Sequence, residues 1–230
     1  MTTKPQTYIL SLGGSLIAPP AGIDWKFLKK FRALILNEIK KNKRFFIITG
    51  GGATARIYQT ASKNVTHPST EDLDWMGIQA THLNAILIKS IFRAQAYPEI
   101  IKDPTIKIKT KKNIIVGGGW RPGWSTDFVA TTIAKEYKIK NLINLSNIDY
   151  AYDKDPREFK NAKKITKTSW KEFRKLVGDK WRPGLSTPFD PIASRQAENL
   201  KIKVVILNGK KLKNLKKCLE NKKFKGTIIE

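Results

Sequence analysis

The chain has 230 residues, is 40% hydrophobic, and carries 44 Lys+Arg against 19 Asp+Glu, a net charge of +25. That length and apolar content suffice to bury the core of one large domain or a closely fused pair. No apolar run approaches the roughly 20 residues of a membrane span, and Cys218, the single cysteine, excludes an internal disulfide and a cysteine zinc cluster. The polar start, Met1 to Gln6, lacks the apolar stretch of a signal peptide, so a cytoplasmic location is expected.

The charge has two readings. One is a polyanionic partner, either nucleic acid or phosphorylated small molecules. The other is lysine spread over solvated faces, which suits the runs 107–112, 210–217 and 222–225. No aromatic-rich strand pair or zinc knuckle accompanies these lysines, so nucleic acid is not the expected partner.

In chain order, Tyr8 to Leu12 reads as a strand. Residues 25–41 read as an amphipathic helix with Leu28, Phe31, Ile35 and Ile39 on one face. A strand from Phe45 to Thr49 ends in Gly50-Gly51-Gly52, and a helix follows through Ala61. A long helix is expected from Asp72 to Ala96, with Met76, Leu83, Leu87 and Ile91 spaced for burial. A strand from Ile114 to Val116 ends in Gly117-Gly118-Gly119, and a helix covers Thr126 to Tyr137. Leu142 to Leu145 is a strand, residues 168–177 and 189–200 are helices, and Ile202 to Leu207 is a strand. A helix with Leu212, Leu215 and Leu219 precedes a last short run, Thr227 to Ile229. The strands are continuous apolar runs alternating with helices. This predicts an α/β fold with a mainly parallel sheet covered on both faces and ligands at the carboxyl ends of its strands. The chain reads as a single domain, residues 1–230. A soft division near residue 140 separates an acceptor-binding half from an ATP-binding half.

Three glycine clusters follow strands: Gly13-Gly14-Ser15, Gly50-Gly51-Gly52 and Gly117-Gly118-Gly119. Glycine lets backbone N–H groups approach a phosphate closely, and a helix starting there adds the positive end of its dipole. One cluster is an ordinary strand exit; three at equivalent places point to a ligand with several phosphates. Neither GxxxxGK[ST] nor a GxGxxG opening a βαβ unit is present, which argues against a P-loop kinase and a dinucleotide fold. Arg56, one turn into the helix after the second cluster, is placed to reach back to a phosphate or else lies on an exposed face. Asp74 is either a helix-start carboxylate or a partner for ribose hydroxyls. Ser146 follows a buried strand at the ligand edge; Tyr152 packs beside a base or covers the core, and Asp155-Pro156 is a turn signal. The two histidines read as a loop residue, His67, and a helix-surface residue, His82.

Together these segments resemble the archaeal-type UMP kinases of the amino acid kinase superfamily. The resemblance rests on LSLGGSL (10–16), ITGGGATARIY (48–58), DWMGIQATHLNA (74–85), AYP (96–98), GGWRPGWSTD (118–127), LSNIDYAYDKDP (145–156), AKKI (162–165), FDPIAS (189–194) and GTIIE (226–230). These keep the family's order over nearly the whole chain, although single pieces are shared with carbamate, acetylglutamate and isopentenyl phosphate kinases. The resemblance implies an open three-layer αβα sandwich, ATP as donor, UMP as acceptor, Mg2+, and a homohexamer. Gly14, Ser15, Gly52 and Arg56 would then face the ATP phosphates, and Ser146, Tyr152 and Asp155 the ATP base and ribose. Gly51 would lie under UMP, Asp74 would hold its ribose, and the loop Trp120, Arg121, Pro122, Gly123, Trp124, Ser125, Thr126 would wrap it. Asp127 would organise the transfer site.

Four positions depart from the family pattern. Ser11 stands where many members have lysine, His82 where arginine is usual, Tyr150-Ala151 where Gly-Val is usual, and Trp124 where a smaller polar residue is usual. The cation missing at position 11 would come from Lys154 or Lys163, which follow the donor-side motif; Lys163 is taken with Asp127 as catalytic. An isopentenyl phosphate kinase is expected to carry a histidine after the second glycine cluster, and this chain has Ala-Thr-Ala-Arg there. A non-catalytic nucleotide or nucleic-acid binder is the other alternative.

Residues 120–126 (WRPGWST) and 181–187 (WRPGLST) match at six of seven positions. Pro-Gly favours a turn with positive φ at the glycine. Either both copies are helix-entry turns, or they face each other across the site. In the second case Arg121 points toward Gly51 over the acceptor, and Arg182 closes over the donor.

Overall fold

The computed structural model describes residues 4–156, 158–178 and 187–230. The first apolar run forms β1 (Gln6–Leu12) and leads into the single-turn helix α1 (Gly14–Ile17). Asp24 caps α2 (Trp25–Lys40) by accepting from the Phe27 N–H at 2.9 Å. Then come β2 (Lys43–Thr49), α3 (Gly52–Val65) and α4 (Thr70–Phe92). Ser69 and Asp72 close a reciprocal capping box at the start of α4.

The long helix therefore stops at Phe92 and does not run to Ala96. Arg93, at φ 45°, breaks it, and the chain continues as an unforeseen strand, β3 (Ala96–Ile101). Pro98 and Glu99 disguise that strand in the sequence. They are tolerated because β3 is the edge of the sheet, where a missing N–H costs nothing.

Next are β4 (Ile114–Gly117), α5 (Thr126–Tyr137) and β5 (Asn141–Ser146). A two-residue pair, β6 (Ala151–Tyr152) with β7 (Lys164–Ile165), forms a separate antiparallel ladder. It is followed by β8 (Lys167–Thr168), α6 (Trp170–Val177) and α7 (Pro191–Asn199). The chain ends with β9 (Lys203–Asn208), α8 (Leu212–Leu219) and β10 (Thr227–Ile229).

The main sheet has the order β3-β4-β2-β1-β5-β9-β10-β8. Its body is parallel, and β10 runs antiparallel to β9. Because side chains alternate across a strand, the continuous apolar runs feed two cores. Leu10, Leu12, Phe45, Ile47 and Val116 meet Phe31 and Ile35 of α2, Ile88 of α4 and Leu215 of α8. Ile9, Phe46, Ile48, Ile115 and Val204 meet Val129 and Ile133 of α5, Phe173 of α6 and Ala197 of α7. The result is the expected αβα sandwich. The chain leaves β1 toward β2 on one side and returns to pair β5 on the other. The carboxyl ends of β1 and β5 are thus the topological switch point, the favoured crevice for a ligand in an open α/β sheet.

Candidate active site

The glycine turns converge at this crevice by backbone contact. Gly13 N–H donates to Leu145 O, and Gly50 N–H donates to Leu12 O, each at 3.0 Å. A Cβ on Gly14 would lie 2.0 Å from Gly52 N, so the first two turns touch with no room for a side chain. Gly52, at φ +65°, opens α3, and Ser15 sits half-buried in α1 beside them. Arg56 is exposed on α3, one turn beyond Gly52. The third cluster differs from the other two, because seven residues separate Gly118 from the start of α5 at Thr126, and it caps no helix.

Helix α4 fixes one side of the crevice. The Asn84 side-chain amide donates to Gly50 O at 2.7 Å and to Gly51 O at 3.2 Å. Thr81 Oγ1 accepts from Gly119 N–H at 2.6 Å, and His82 Nε2 bonds Gly119 O at 2.8 Å. His82 is thus buried and not on the helix surface as the sequence suggested. Burial pushes its pKa down, and nearby Lys102 adds to that. In place of the usual arginine it anchors the third glycine turn. Thr81, Asn84 and His82 were not singled out as site residues, since nothing in a helical run marks which polar groups clamp a neighbouring turn.

Asp74 lies inside α4, past the Ser69 cap, which removes the capping explanation for it. Its Oδ2 accepts from Gly123 N–H at 2.8 Å, tying α4 to the loop 120–126. Gly123 has φ +85°, the turn conformation expected of Pro-Gly. The Arg121 guanidinium lies 4.0 Å from the centre of the Trp120 ring. The Asp103 carboxyl, held low chiefly by the Thr105 hydroxyl and N–H, is lowered further by Trp120 and Arg121. Arg121 is therefore engaged with Trp120 and Asp103, and no described contact joins it to Gly51. Trp124 stacks on Phe128 with ring centres 4.0 Å apart, while Pro122 and Trp124 are half-buried. Ser125 caps α5 by accepting from Phe128 N–H, and Thr126 is its first residue. Arg182 and the second copy of the motif up to residue 186 lie outside the described residues.

The residues that the resemblance assigns to ATP group around a cavity of about 560 Å³. Ser146, Tyr152 and Asp155 all line it, so Tyr152 faces the cavity instead of covering the core. The carbonyl of Asp155 accepts from Phe159 N–H at 2.9 Å, so the Asp-Pro turn is real and shapes the same wall. Lys154 also lines the cavity, with its ammonium 5.3 Å from the Phe159 ring centre. Lys163 is exposed. Its backbone N–H donates to Asp153 Oδ1 at 2.8 Å, and it is not part of the cavity wall.

Between the two halves sits Asp127. Its Oδ1 accepts from Ser11 Oγ at 3.0 Å and lies 3.5 Å from the Asn144 amide nitrogen; its Oδ2 accepts from Asp190 N–H at 3.3 Å. One carboxylate thereby joins β1, β5, α5 and the entry to α7. Burial, with the neighbouring Asp190 charge adding to it, raises the Asp127 pKa to about 7.

Touching glycine turns, a nucleotide-sized cavity and a half-buried carboxylate at the switch point describe an α/β phosphotransferase site without a P-loop. The amino acid kinase family model matches residues 6–208, and the chain belongs to that family. It is similar to the uridylate kinase of Methanococcus aeolicus, 33% identical over 96% of this chain and 98% of that protein. The uridylate kinase of Pyrococcus abyssi is likewise 33% identical, over 96% and 98%. The crystal structure of uridylate kinase from Archaeoglobus fulgidus superposes with a TM-score of 0.83 at 28% identity, covering 97% of this chain and 99% of that one.

Proposed function

We propose that this chain is a UMP kinase, transferring the γ-phosphoryl group of ATP to UMP to give UDP and ADP in pyrimidine nucleotide biosynthesis. The observation that carries the reading is the junction at Asp127, which joins an acceptor side built on α4 to the donor cavity at β5 and β6. Residues up to about 140 serve the acceptor and, through the first two glycine turns and Arg56, the ATP phosphates; the remainder serve the rest of ATP. Phosphoryl transfer asks the protein for alignment and charge neutralisation, not covalent chemistry. The glycine-turn N–H groups and Arg56 supply donors for the phosphates. Asp74 and the loop 120–126 enclose UMP, and Ser146, Tyr152 and Asp155 hold the adenosine. Lys154, on the cavity wall, is better placed than Lys163 to replace the lysine absent at position 11.

The described residues contain no group of three or more His, Cys, Asp or Glu side chains suited to a metal. Mg2+ is expected to enter on the ATP phosphates, neutralising their charge. No described helix is long and apolar enough to cross a membrane, and the enzyme is assigned to the cytoplasm. The reading includes a homohexamer. The face of α3 and α4 that carries exposed Tyr58, Trp75 and Leu83 is available for self-association.

A coupled assay with ATP and each of UMP, CMP, AMP and GMP tests the assignment. UMP is expected to be preferred by about tenfold or more in kcat/KM, the discrimination that a single extra polar contact supports. Equal turnover of all four, or of none, would sink it. Asp74→Ala removes a hydrogen bond to a charged group, worth about 1.5–3 kcal/mol. It should raise KM for UMP at least about tenfold and leave KM for ATP within about twofold. A KM effect confined to ATP would reverse the assignment of the two sides.

A further inference from the structure

The helical layers on the two faces of the sheet carry very different charge. Residues 25–41 and 210–225, which contain α2 and α8, hold fourteen Lys+Arg against Glu38 and Glu220, so 33 residues carry +12 of the net +25. Residues 126–138, 170–177 and 191–201, which contain α5, α6 and α7, hold seven Lys+Arg against four Asp+Glu, a net +3 over 32 residues. A lysine-rich composition alone would coat both layers alike. The second layer instead pairs its cations with acids, Lys175 with Glu172 at 2.9 Å and Arg174 with Glu198 at 2.6 Å.

All fourteen cations of the α2 and α8 layer are exposed. Its two glutamates are already committed. Glu38 is fully buried and held by Lys41 and Lys43, and Glu220 lies between Lys41 and Lys222 at 2.5 and 2.9 Å. The Lys41–Glu220 pair ties the end of α2 to the end of α8, and the two helices pack side by side. Each helix carries lysines at i, i+3 and i+4: Lys26, Lys29 and Lys30 on α2, and Lys213, Lys216 and Lys217 on α8. That spacing gathers like charges on one helix face, which destabilises a helix unless an anion lies over it. The runs 210–217 and 222–225, separate solvated stretches in the sequence, thus join α2 in one continuous cationic surface.

We propose that the α2 and α8 surface binds single-stranded RNA through its phosphodiester backbone. Exposed, unneutralised lysines complement a chain of phosphates, and binding releases the counterions condensed on it. The chain has no aromatic-rich strand pair or zinc knuckle to read bases, so the binding is independent of sequence. A second copy does not fit the surface, because it would bring fourteen more cations against it. A lipid surface fits poorly as well. An interfacial helix needs an apolar side turned outward, whereas Leu28, Phe31 and Ile35 of α2 and Leu215 and Leu219 of α8 are buried against the sheet. Among the described residues, Ile23 and Trp25 are the large apolar side chains exposed there, at 45% and 63%. Trp25 opens α2 with the Lys26 ammonium 5.7 Å from its ring centre. An exposed indole at the border of a cationic surface is a stacking platform for an unpaired base, which a duplex does not offer. RNA is the single-stranded nucleic acid of the cytoplasm, to which the enzyme is assigned. None of the residues assigned to UMP or ATP lies on α2 or α8, so the inference stands apart from the kinase reading.

Fluorescence anisotropy with a labelled single-stranded RNA of about 16 nucleotides, in KCl from about 50 to 200 mM, tests it. The wild type should bind with a micromolar Kd at the lower salt. Its log affinity should fall against log salt with a slope of about −3 or steeper, each neutralised phosphate contributing about 0.7. Two triple variants of equal net charge locate the surface. Lys30→Gln/Lys213→Gln/Lys217→Gln should lose about tenfold or more in affinity at the lower salt and flatten the slope by about 2. Lys135→Gln/Lys171→Gln/Lys175→Gln, in the other layer, should bind within about twofold of the wild type. Both change exposed side chains outside the crevice and should keep the wild-type kcat/KM. Trp25→Ala should lose about fivefold or more in RNA affinity with the salt slope unchanged. Equal losses in the two triple variants, or no loss in Trp25→Ala, would overturn the proposal, as would a wild type that fails to bind. So would displacement of the RNA by saturating UMP and ADP, which would place it in the crevice. Tighter binding to duplex DNA or to phosphatidylglycerol vesicles than to RNA would overturn RNA as the partner. A chain that binds RNA in this way but turns over no nucleotide would sink the kinase reading alone.

Discussion

Asp127→Asn is expected to lower kcat for UMP phosphorylation by about 10²–10³-fold, the usual cost of removing one preorganised polar group from a reacting centre. Asp127 is the acceptor for Ser11 Oγ and for Asp190 N–H, and the Asn144 amide points at it as well. An asparagine can present its oxygen to Ser11, but its NH2 then faces the Asp190 N–H and two donors oppose each other. The first glycine turn follows Ser11, and the donor wall follows Asn144 at Ser146, so a rotation at this junction misaligns the two phosphates. A 1 Å misplacement is enough to cost two orders of magnitude. The fold should survive. Ser125 caps α5, so Asp127 carries no capping duty. Replacing a half-buried carboxyl whose pKa is raised to about 7 also removes a destabilising charge at high pH. The sign follows from proton counting. Between the ordinary aspartate range and pH 7 the folded protein holds a proton that the unfolded chain releases, so this group's contribution weakens as pH rises through that window. The variant should then melt at or above the wild-type temperature at pH 8, with the gap closing toward pH 5. A variant that melts earlier at pH 8 yet keeps its turnover would make Asp127 a structural residue.

Much of this arrangement was legible in the sequence, for a physical reason. A parallel sheet buried on both faces writes continuous apolar runs, and strand exits toward a phosphate ligand write glycine, so β1, β2, β4 and β5 and their turns could be placed directly. Helices α5 and α8 matched their expected spans because Ser125 and the spacing of Leu212, Leu215 and Leu219 mark them locally. The misses share a cause. Strand β3 holds Pro98 and Glu99, which only an edge position excuses, and edge position is a property of the whole sheet. The hairpin of β6 and β7 is two residues per strand, too short to show a period. His82 looked like a surface residue because its partner, Gly119 O, is 37 positions away. Asp190 appeared in the sequence only within the FDPIAS segment; its neighbour Asp127 is 63 residues distant in sequence. Local patterns give the elements and the turns, whereas contacts between side chains remote in the chain need the fold.

Gly52→Ala should be among the most damaging single methyl groups in the protein. Gly52 sits at φ +65°, a conformation that costs an L-residue about 1–2 kcal/mol. Its Cβ would also lie 2.4 Å from Gly14 O and 2.8 Å from Ala18 O. Both obstacles are backbone atoms, so no rotamer change relieves them. The Ala53 N–H to Ala18 O bond at 2.8 Å holds the same two segments together, and separating them breaks it. Overpacking of this kind adds about 1–3 kcal/mol to the conformational strain. The first two glycine turns must then part, and with them the N–H groups proposed to face the phosphates. Turnover should fall by about two orders of magnitude or more, together with a drop of roughly 5–10 °C in melting temperature. Gly22→Ala serves as the control. Gly22 has φ +101° with nothing within 4 Å of an added methyl, so it carries the conformational strain without the collision. If the two variants lose the same stability and both keep wild-type KM and kcat, then the close contact of Gly14 with Gly52 is mere packing and does not shape the phosphate site. If Gly52→Ala alone loses turnover, the contact between these two backbone turns sets the distance between the nucleotides.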